Sequence, residues 1–212
     1  MHAAIVAGSS LSAELDPATL AAADLLVAVD GGAEALARLG LVPALLVGDM
    51  DSVTSETRRA FESQGVEVVL LPTAKDETDT EAALRLAVDR GADDVAVYGA
   101  LGGPRLDHLL GNLLLLAAPW LTGVAVRMVD DRHEAFLAGG DVVFGGEKGE
   151  IVSLLPLSRE VQDVRTSGLL YELAGEPLRR SATRSLSNVM TGPEARVTHA
   201  EGLLLLIHYR GR

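Results

Sequence analysis

The stretch Leu25-Leu26-Val27-Ala28-Val29-Asp30-Gly31-Gly32 decides the fold class, because an unbroken apolar run ends abruptly in an acid and two glycines. A run of this kind, bounded by turn residues, is typical of a strand buried in a parallel sheet. Similar runs recur along the first part of the chain, and longer helical patterns separate them. The predicted strands are residues 3–7, 25–29, 44–47, 66–71, 94–98 and 124–129. This part of the chain is therefore predicted to be α/β, with βα units and a mostly parallel sheet.

Five helical segments are predicted between these strands. The helix over residues 78–90 has the clearest start and stop signals. Thr78 and Glu81 fit a capping box, an apolar stripe follows, and Gly91 ends the pattern. After Asp131 the sequence changes to short alternating segments separated by paired glycines, which indicates an all-β domain. Its predicted strands include residues 151–155, 169–173 and 202–209. We therefore expect two domains, 1–131 and 132–212.

The composition of the chain excludes several kinds of site and partner. The 212 residues include no cysteine, which excludes disulfides, thiolate metal sites and a cysteine nucleophile. The formal net charge of −12 argues against a nucleic-acid partner, since such proteins present clustered Lys and Arg. No apolar run is long enough for a membrane span, and the N-terminus lacks the basic region of a secretory signal. We expect a soluble, cytoplasmic protein.

Acidic and glycine-rich loops follow four successive strands of the predicted sheet. Ligands of open parallel sheets bind outside the carboxyl ends of the strands, so these loops are expected to share one crevice. They read Asp30-Gly31-Gly32, Gly48-Asp49-Met50-Asp51-Ser52, Lys75-Asp76-Glu77-Thr78-Asp79 and Gly99-Ala100-Leu101-Gly102-Gly103-Pro104-Arg105-Leu106-Asp107-His108.

Crowded carboxylates repel one another unless a cation lies among them, and oxygen ligands of this kind suit Mg²⁺ bridging to phosphates. Arg105 and Lys75 are the candidate partners for phosphate oxygens. This pattern indicates phosphoryl chemistry without a Gly-x-x-x-x-Gly-Lys-Ser/Thr loop. Alternatives remain open, because an Asp after a strand also serves as a helix N-cap, and His108 is equally compatible with a packed residue at a helix start.

Several motifs in fixed order resemble the thiamine pyrophosphokinase family. They are Asp-Gly-Gly-Ala at 30–33, Gly-Asp-x-Asp-Ser at 48–52, Lys-Asp-x-Thr-Asp-x-Glu at 75–81, and a Gly-Gly-Arg-x-Asp-His element at 102–108 with Pro104 before the arginine. Gly168-Leu169-Leu170-Tyr171-Glu172-Leu173 and Ser187-Asn188 are similar to motifs of that family's second domain.

The resemblance implies a doubly wound, Rossmann-like catalytic and nucleotide-binding domain followed by a smaller β-sandwich that contributes to substrate binding and dimerisation. It further implies a homodimer and transfer of diphosphate from ATP to thiamine with release of AMP. By matching position, Asp49, Asp51 and Asp79 would hold Mg²⁺. The implied nucleotide and reaction-site residues are Asp30, Lys75, Asp76, Gly102, Gly103, Arg105, Asp107, His108 and Asn112. Asp30, Ser187 and Asn188 would meet thiamine.

Three residues depart from the family pattern, which commonly has Asn at position 34, Asp at 44 and Glu at 189; here they are Glu34, Ala44 and Val189. Val189 removes a carboxylate beside the implied thiamine pocket. Two alternatives therefore stay open: a pyrophosphokinase for another heterocyclic alcohol, such as a pterin or a thiamine analogue, and a non-catalytic nucleotide or thiamine sensor.

Overall fold

The structure, a computed structural model, describes residues 1–8, 11 and 15–211, and the chain divides into two compact units, Met1–Asp131 and Arg132–Arg212. None of the helices in the described residues is long and apolar enough to cross a membrane.

The first unit alternates strands and helices. Its strands are β1 His2–Val6, β2 Leu25–Val29, β3 Leu45–Gly48, β4 Glu67–Leu70, β5 Asp94–Tyr98 and β6 Ala125–Val129. Its helices are α1 Pro17–Ala21, α2 Gly32–Arg38, α3 Ser55–Ser63, α4 Asp79–Asp89 and α5 Leu106–Leu115, followed by a 3₁₀ turn at Pro119–Leu121. The predicted strands and helices of this unit are thus confirmed, and the predicted ends differ from the observed ones by at most one residue.

All strand pairs of the first unit are parallel, in the order β6-β5-β1-β2-β3-β4. Strands β1, β2, β3 and β5 are buried almost throughout because apolar residues cover both faces of each strand. The strand order reverses between β1 and β5, so the carboxyl ends of these central strands form the crevice where such sheets bind ligands.

The second unit is a β-sandwich. Its strands are β7 His133–Ala138, β8 Asp141–Gly145, β9 Ile151–Pro156, β10 Glu160–Ser167, β11 Ala174–Arg179, β12 Asn188–Val189, β13 Glu194–Thr198 and β14 Leu204–Tyr209. They form two antiparallel layers, β12-β9-β14-β7 and β11-β10-β13-β8. Side chains of both layers, among them Leu154, Val164, Val197 and Leu206, share one buried core. The predicted α/β-plus-sandwich fold class is therefore confirmed.

Two of the predicted strands in this unit are confirmed and one is wrong. Strands β9 and β14 lie where residues 151–155 and 202–209 were predicted, and β14 pairs with both β7 and β9 in the middle of its layer. Residues 169–173 form no strand; only an isolated bridge joins Leu169 to Met190. The segment is instead a loop held by the side chain of Asn188, whose contacts are described below.

Candidate active site

Three aspartates from three different loops converge at the carboxyl ends of the parallel strands. Asp30 follows β2 with a left-handed φ of 43°, and its Oδ1 accepts a hydrogen bond from the Met50 backbone N–H at 3.3 Å. Burial, together with the charges of Asp79 and Asp49 and a hydrogen bond with Asp79, raises the pKa of Asp30 from 3.8 to about 7. The predicted convergence of the loops carrying Asp30, Asp49 and Asp79 is thus present in the fold.

Gly48 allows this convergence by having no side chain. Its φ is +149°, and a β-carbon built on it would lie 1.8 Å from Asp30 Oδ1. The absence of a β-carbon lets the Asp30 carboxylate lie directly against the backbone at the end of β3.

Lys75 places a positive charge beside the converging acids. Its Nζ lies 3.0 Å from Asp79 Oδ1 and donates to the carbonyl of Pro72 at 3.1 Å. Burial opposes the charge on Lys75, but the hydrogen bond with Asp79 and the carboxylates of Asp49 and Asp30 outweigh it and raise the pKa of Lys75. Asp76, the neighbour of Lys75, is exposed.

Only half of the predicted capping box at α4 forms. Thr78 is the N-cap, and its Oγ1 accepts from the Glu81 backbone N–H at 3.2 Å. The Glu81 carboxylate does not reach back to Thr78; it accepts from Arg85 at 2.8 Å, one turn further along. Thr78 alone therefore sets the start of the helix and, with it, the position of Asp79.

The loop after β3 folds upon itself. Asp49 Oδ1 accepts from the Asp51 backbone N–H at 3.1 Å, and Met50 between them has a φ of 67°. Asp51 is exposed, and Asp49 is partly buried.

Within the part of the chain that the structure describes, no group of three or more His, Asp or Glu side chains is arranged as a metal site. The donor chemistry nevertheless fits Mg²⁺, which prefers carboxylate oxygens. Asp79 Oδ1 is buried, and Lys75 Nζ lies 3.0 Å from it. Crowded carboxylates, one of them with a pKa near neutrality, are the surroundings in which a cation lowers electrostatic repulsion.

In the loop after β5, the side chain of Arg105, expected to contact phosphate, is paired with Asp107. The Arg105 guanidinium donates to Asp107 through Nε at 2.9 Å and through a terminal nitrogen at 2.5 Å, and both side chains are exposed. This ion pair holds the pKa of the Asp107 carboxyl well below its usual range. Gly102, Gly103 and His108 are also exposed. Asn112, on α5, donates to the Ala100 carbonyl at 3.0 Å and so ties the loop to the helix.

Ser187 and Asn188 lie in the second unit, and they differ in what they offer a ligand. Asn188 is 4% exposed, and its amide is engaged on both sides: Oδ1 accepts from the Tyr171 N–H at 3.0 Å, and Nδ2 donates to the Tyr171 carbonyl at 2.7 Å. Ser187 is exposed with a φ of 56°. Asn188 therefore clamps the 168–173 loop, and Tyr171 stands 68% exposed beside it.

Glu34 contacts Thr54 and Thr57, and the sequence did not predict these contacts. Its Oε1 accepts from the Thr54 N–H at 2.8 Å, and its Oε2 accepts from the Thr57 hydroxyl at 2.9 Å. A capping residue contributed by another helix leaves no local sequence pattern, so the signal was absent.

Comparison with known proteins decides the family. Residues 17–128 match the family model for the thiamin pyrophosphokinase catalytic domain, and residues 142–204 match the model for the thiamin pyrophosphokinase vitamin B1 binding domain. The chain belongs to the thiamin pyrophosphokinase family.

Individual thiamine pyrophosphokinases agree with this assignment. The chain is 29% identical over 185 residues to thiamine pyrophosphokinase of Bacillus subtilis, covering 86% of each chain. It is 24% identical over 184 residues to thiamine pyrophosphokinase 1 of Oryza sativa, covering 82% of this chain and 69% of the relative. The crystal structure of the Bacillus subtilis protein superimposes with a TM-score of 0.88 at 26% identity, with full coverage of both chains. The Geobacillus thermodenitrificans structure gives 0.84 at 27% identity, covering 100% of this chain and 98% of that one.

The two family matches fall one in each unit of the thiamin pyrophosphokinase fold described above. The predicted family, fold class and enzyme class are thereby confirmed: the chain is an enzyme of the thiamine pyrophosphokinase type.

Proposed function

We propose that the chain transfers the terminal diphosphate of ATP to the hydroxyl of thiamine, giving thiamine diphosphate and AMP with the participation of Mg²⁺. The observation that carries the proposal is the convergence of Asp30, Asp49 and Asp79 with Lys75 at the carboxyl ends of the parallel strands. A cluster of acids around one lysine suits a metal-bound polyphosphate better than it suits a neutral ligand.

In this reaction the acceptor hydroxyl attacks the β-phosphorus of ATP and gives up its proton. The bond from that phosphorus to the oxygen bridging to the α-phosphate breaks, and AMP leaves with that oxygen. Asp49, Asp51 and Asp79 would hold Mg²⁺, which neutralises charge on the transferred group when bound. Asp30, whose pKa is raised to about 7, lies near Asp79 and Asp49 of this set. Lys75 and Arg105 supply positive charge, and the Asp107 carboxylate fixes the direction of the guanidinium. Asp76, Gly102, Gly103, His108 and Asn112 complete the proposed nucleotide site.

The proposed acceptor surface combines a polar and an apolar part. A small heterocycle needs a largely apolar wall with a few placed polar groups. Leu170, Tyr171 and Leu186 are exposed apolar residues of the second unit, next in sequence or hydrogen-bonded to the Ser187–Val189 segment. Ser187 offers a hydroxyl, while Asn188 acts through the Tyr171 backbone that it holds.

We further propose a homodimer. Leu106, Leu110 and Leu114 are 68%, 50% and 60% exposed at a spacing of four residues on α5, so one face of this helix is an apolar stripe. The stripe begins next to Arg105, and a second copy of the chain that covers it would lie beside the candidate site.

The distribution of charge bears on the partners of the chain. Of the 30 acids, 20 lie in residues 1–131 with 8 basic residues, whereas residues 132–212 hold 10 of each. The unit that carries the aspartates is thus the acidic one, which opposes a nucleic-acid partner. We place the enzyme in the cytoplasm.

The decisive experiment incubates the protein with ATP, Mg²⁺ and thiamine and identifies both products by mass. AMP and thiamine diphosphate in equal amounts are expected, whereas ADP as the stoichiometric product would contradict diphosphate transfer. Tight binding of ATP or thiamine without turnover would instead support the sensor. Pterin alcohols and thiamine analogues should be tested in parallel, because Val189, next to Asn188, stands where the family commonly has a carboxylate.

A further inference from the structure

Glu34 joins two helices that enclose the aspartate loop. It lies in the first turn of α2, and both of its carboxylate oxygens accept hydrogen bonds from the first turn of α3. Thr54 is the N-cap of α3: its Oγ1 accepts from the Thr57 N–H at 3.1 Å and donates to the Thr57 hydroxyl at 3.1 Å. Glu34, Thr54 and Thr57 therefore form one closed set of hydrogen bonds.

The charge of Glu34 suits this position. The hydrogen bond from the Thr54 N–H is the largest cause lowering the pKa of Glu34, and the bond from Thr57 adds to it against a smaller opposing effect of burial. A carboxylate at the start of a helix also meets the positive end of the helix dipole. The contact is consequently made by the ionised side chain.

The segment between the two anchoring points carries the acids. Residues 48–53 run from the end of β3 to Thr54 and contain Asp49 and Asp51. At its start the segment is held by Asp30, which accepts from the Met50 N–H; at its end it is held by Glu34 through Thr54. Asp30 and Glu34 are four residues apart, so one short stretch of chain fixes both ends of the loop.

The loop needs such anchoring because its backbone is not relaxed. Met50 has a φ of 67°, in the left-handed region that a non-glycine residue occupies only at a free-energy cost. A loop in this conformation relaxes when a support at either end is removed.

We propose that Glu34 is a positioning residue that, through Thr54 and Thr57, holds Asp49 and Asp51 in the arrangement needed for Mg²⁺ and the polyphosphate; this rests on the proposed function. Glu34 itself touches neither. If Glu34 only stabilised α3, its removal would lower the melting temperature and leave the use of Mg²⁺ unchanged.

The test compares Glu34→Ala, Glu34→Gln and Thr57→Val with Phe61→Leu as the matched control. Phe61 is buried in α3 and outside the Glu34 contacts, so its substitution weakens the helix packing alone. Gln at 34 can still accept from Thr54 and meet Thr57, so it should restore most of the wild-type behaviour.

Mg²⁺ half-saturation and kcat are measured in the thiamine assay, and Mg²⁺ affinity is measured independently by titration calorimetry on the folded proteins. Glu34→Ala and Thr57→Val are expected to weaken Mg²⁺ binding by roughly five-fold or more and to lower kcat by roughly ten-fold, since small misplacements are costly in such sites. Phe61→Leu, at an equal loss of melting temperature, should leave Mg²⁺ affinity unchanged.

Unchanged Mg²⁺ affinity and kcat in folded Glu34→Ala and Thr57→Val would overturn the positioning role. So would an equal loss of Mg²⁺ affinity in Phe61→Leu. If wild-type protein makes no AMP, the proposed function fails instead, and the calorimetry on the same variants still decides whether Glu34 organises a cation site.

Discussion

Asp30 occupies the space that a side chain at residue 48 would need: its Oδ1 lies 1.8 Å from the position of a β-carbon on Gly48. Two loops that are distant in sequence thereby meet without an intervening side chain. The contact ties the acid at the end of β2 to the backbone at the end of β3.

Gly48→Ala should consequently displace the Asp30 carboxylate. We expect a loss of about 1–3 kcal/mol in the free energy of unfolding, from the positive φ and the clash together, with a fall in kcat of at least about ten-fold. Urea denaturation and the steady-state assay measure the two effects. Gly65→Ala is the control, because Gly65 has a φ of +84° but nothing within 4 Å of its β-carbon position. It should lose stability and keep kcat; a Gly48 variant that behaves the same way would contradict the role of the contact.

Asp49→Asn and Asp51→Asn should each reduce turnover by at least about a hundred-fold, because each removes a proposed charged Mg²⁺ ligand from a phosphoryl-transfer site organised by electrostatics. Folding should survive, since the hydrogen bond of the Asp49 side chain among the described residues is a local one from Asp51 N–H, which an Asn oxygen can also accept. Circular dichroism and kcat are the measurements. Wild-type rates in a folded double variant would refute the metal assignment.

The contribution of Asp30 to the stability of the metal-free protein should fall as the pH rises from about 4 to about 7. The pKa of Asp30 is about 7 in the folded chain against an ordinary 3.8, so the folded state holds more protons in this window. Burial and the neighbouring Asp79 and Asp49 cause the shift. Denaturation midpoints in EDTA should show a shallower slope for Asp30→Asn than for wild type, and equal slopes would show that Asp30 titrates normally.

The proposed dimer predicts complementation between inactive chains. If Ser187 and Asn188 of one chain complete the aspartate crevice of the other, mixing Asp49→Asn with Asn188→Ala should regenerate activity in heterodimers that hold one intact site. Loss of the Asn188 amide releases Tyr171, so the second chain should be inactive alone. Subunit exchange is verified by native mass spectrometry. No recovery after verified exchange would argue for a site within one chain.

Patterns confined to one segment predicted the fold well. Helix α4 spans Asp79–Asp89 between an N-cap at Thr78 and a C-cap at Arg90, as its caps and apolar stripe indicated. The same local signals misplaced a strand at 169–173, because only an isolated bridge forms there and the Asn188 amide takes both backbone hydrogen bonds of Tyr171.

Specific side-chain contacts could not be predicted from the sequence. The motif order brought the aspartates to one crevice, but it could not show that Arg105 pairs with Asp107 or that Glu34 caps α3. Each of these depends on side-chain geometry in the folded chain, which neither composition nor periodicity encodes.

The Asn188 clamp also affects how this enzyme can change over evolutionary time. Oδ1 of Asn188 accepts from the Tyr171 N–H and from the Val189 N–H at 2.9 Å, so the side chain of residue 188 holds the local backbone. Val189 is only partly buried in the two-residue strand β12, so we expect an acidic residue at 189 to cost little folding free energy. Because position 189 adjoins the proposed acceptor surface, a single substitution there would change that surface while the scaffold stays the same.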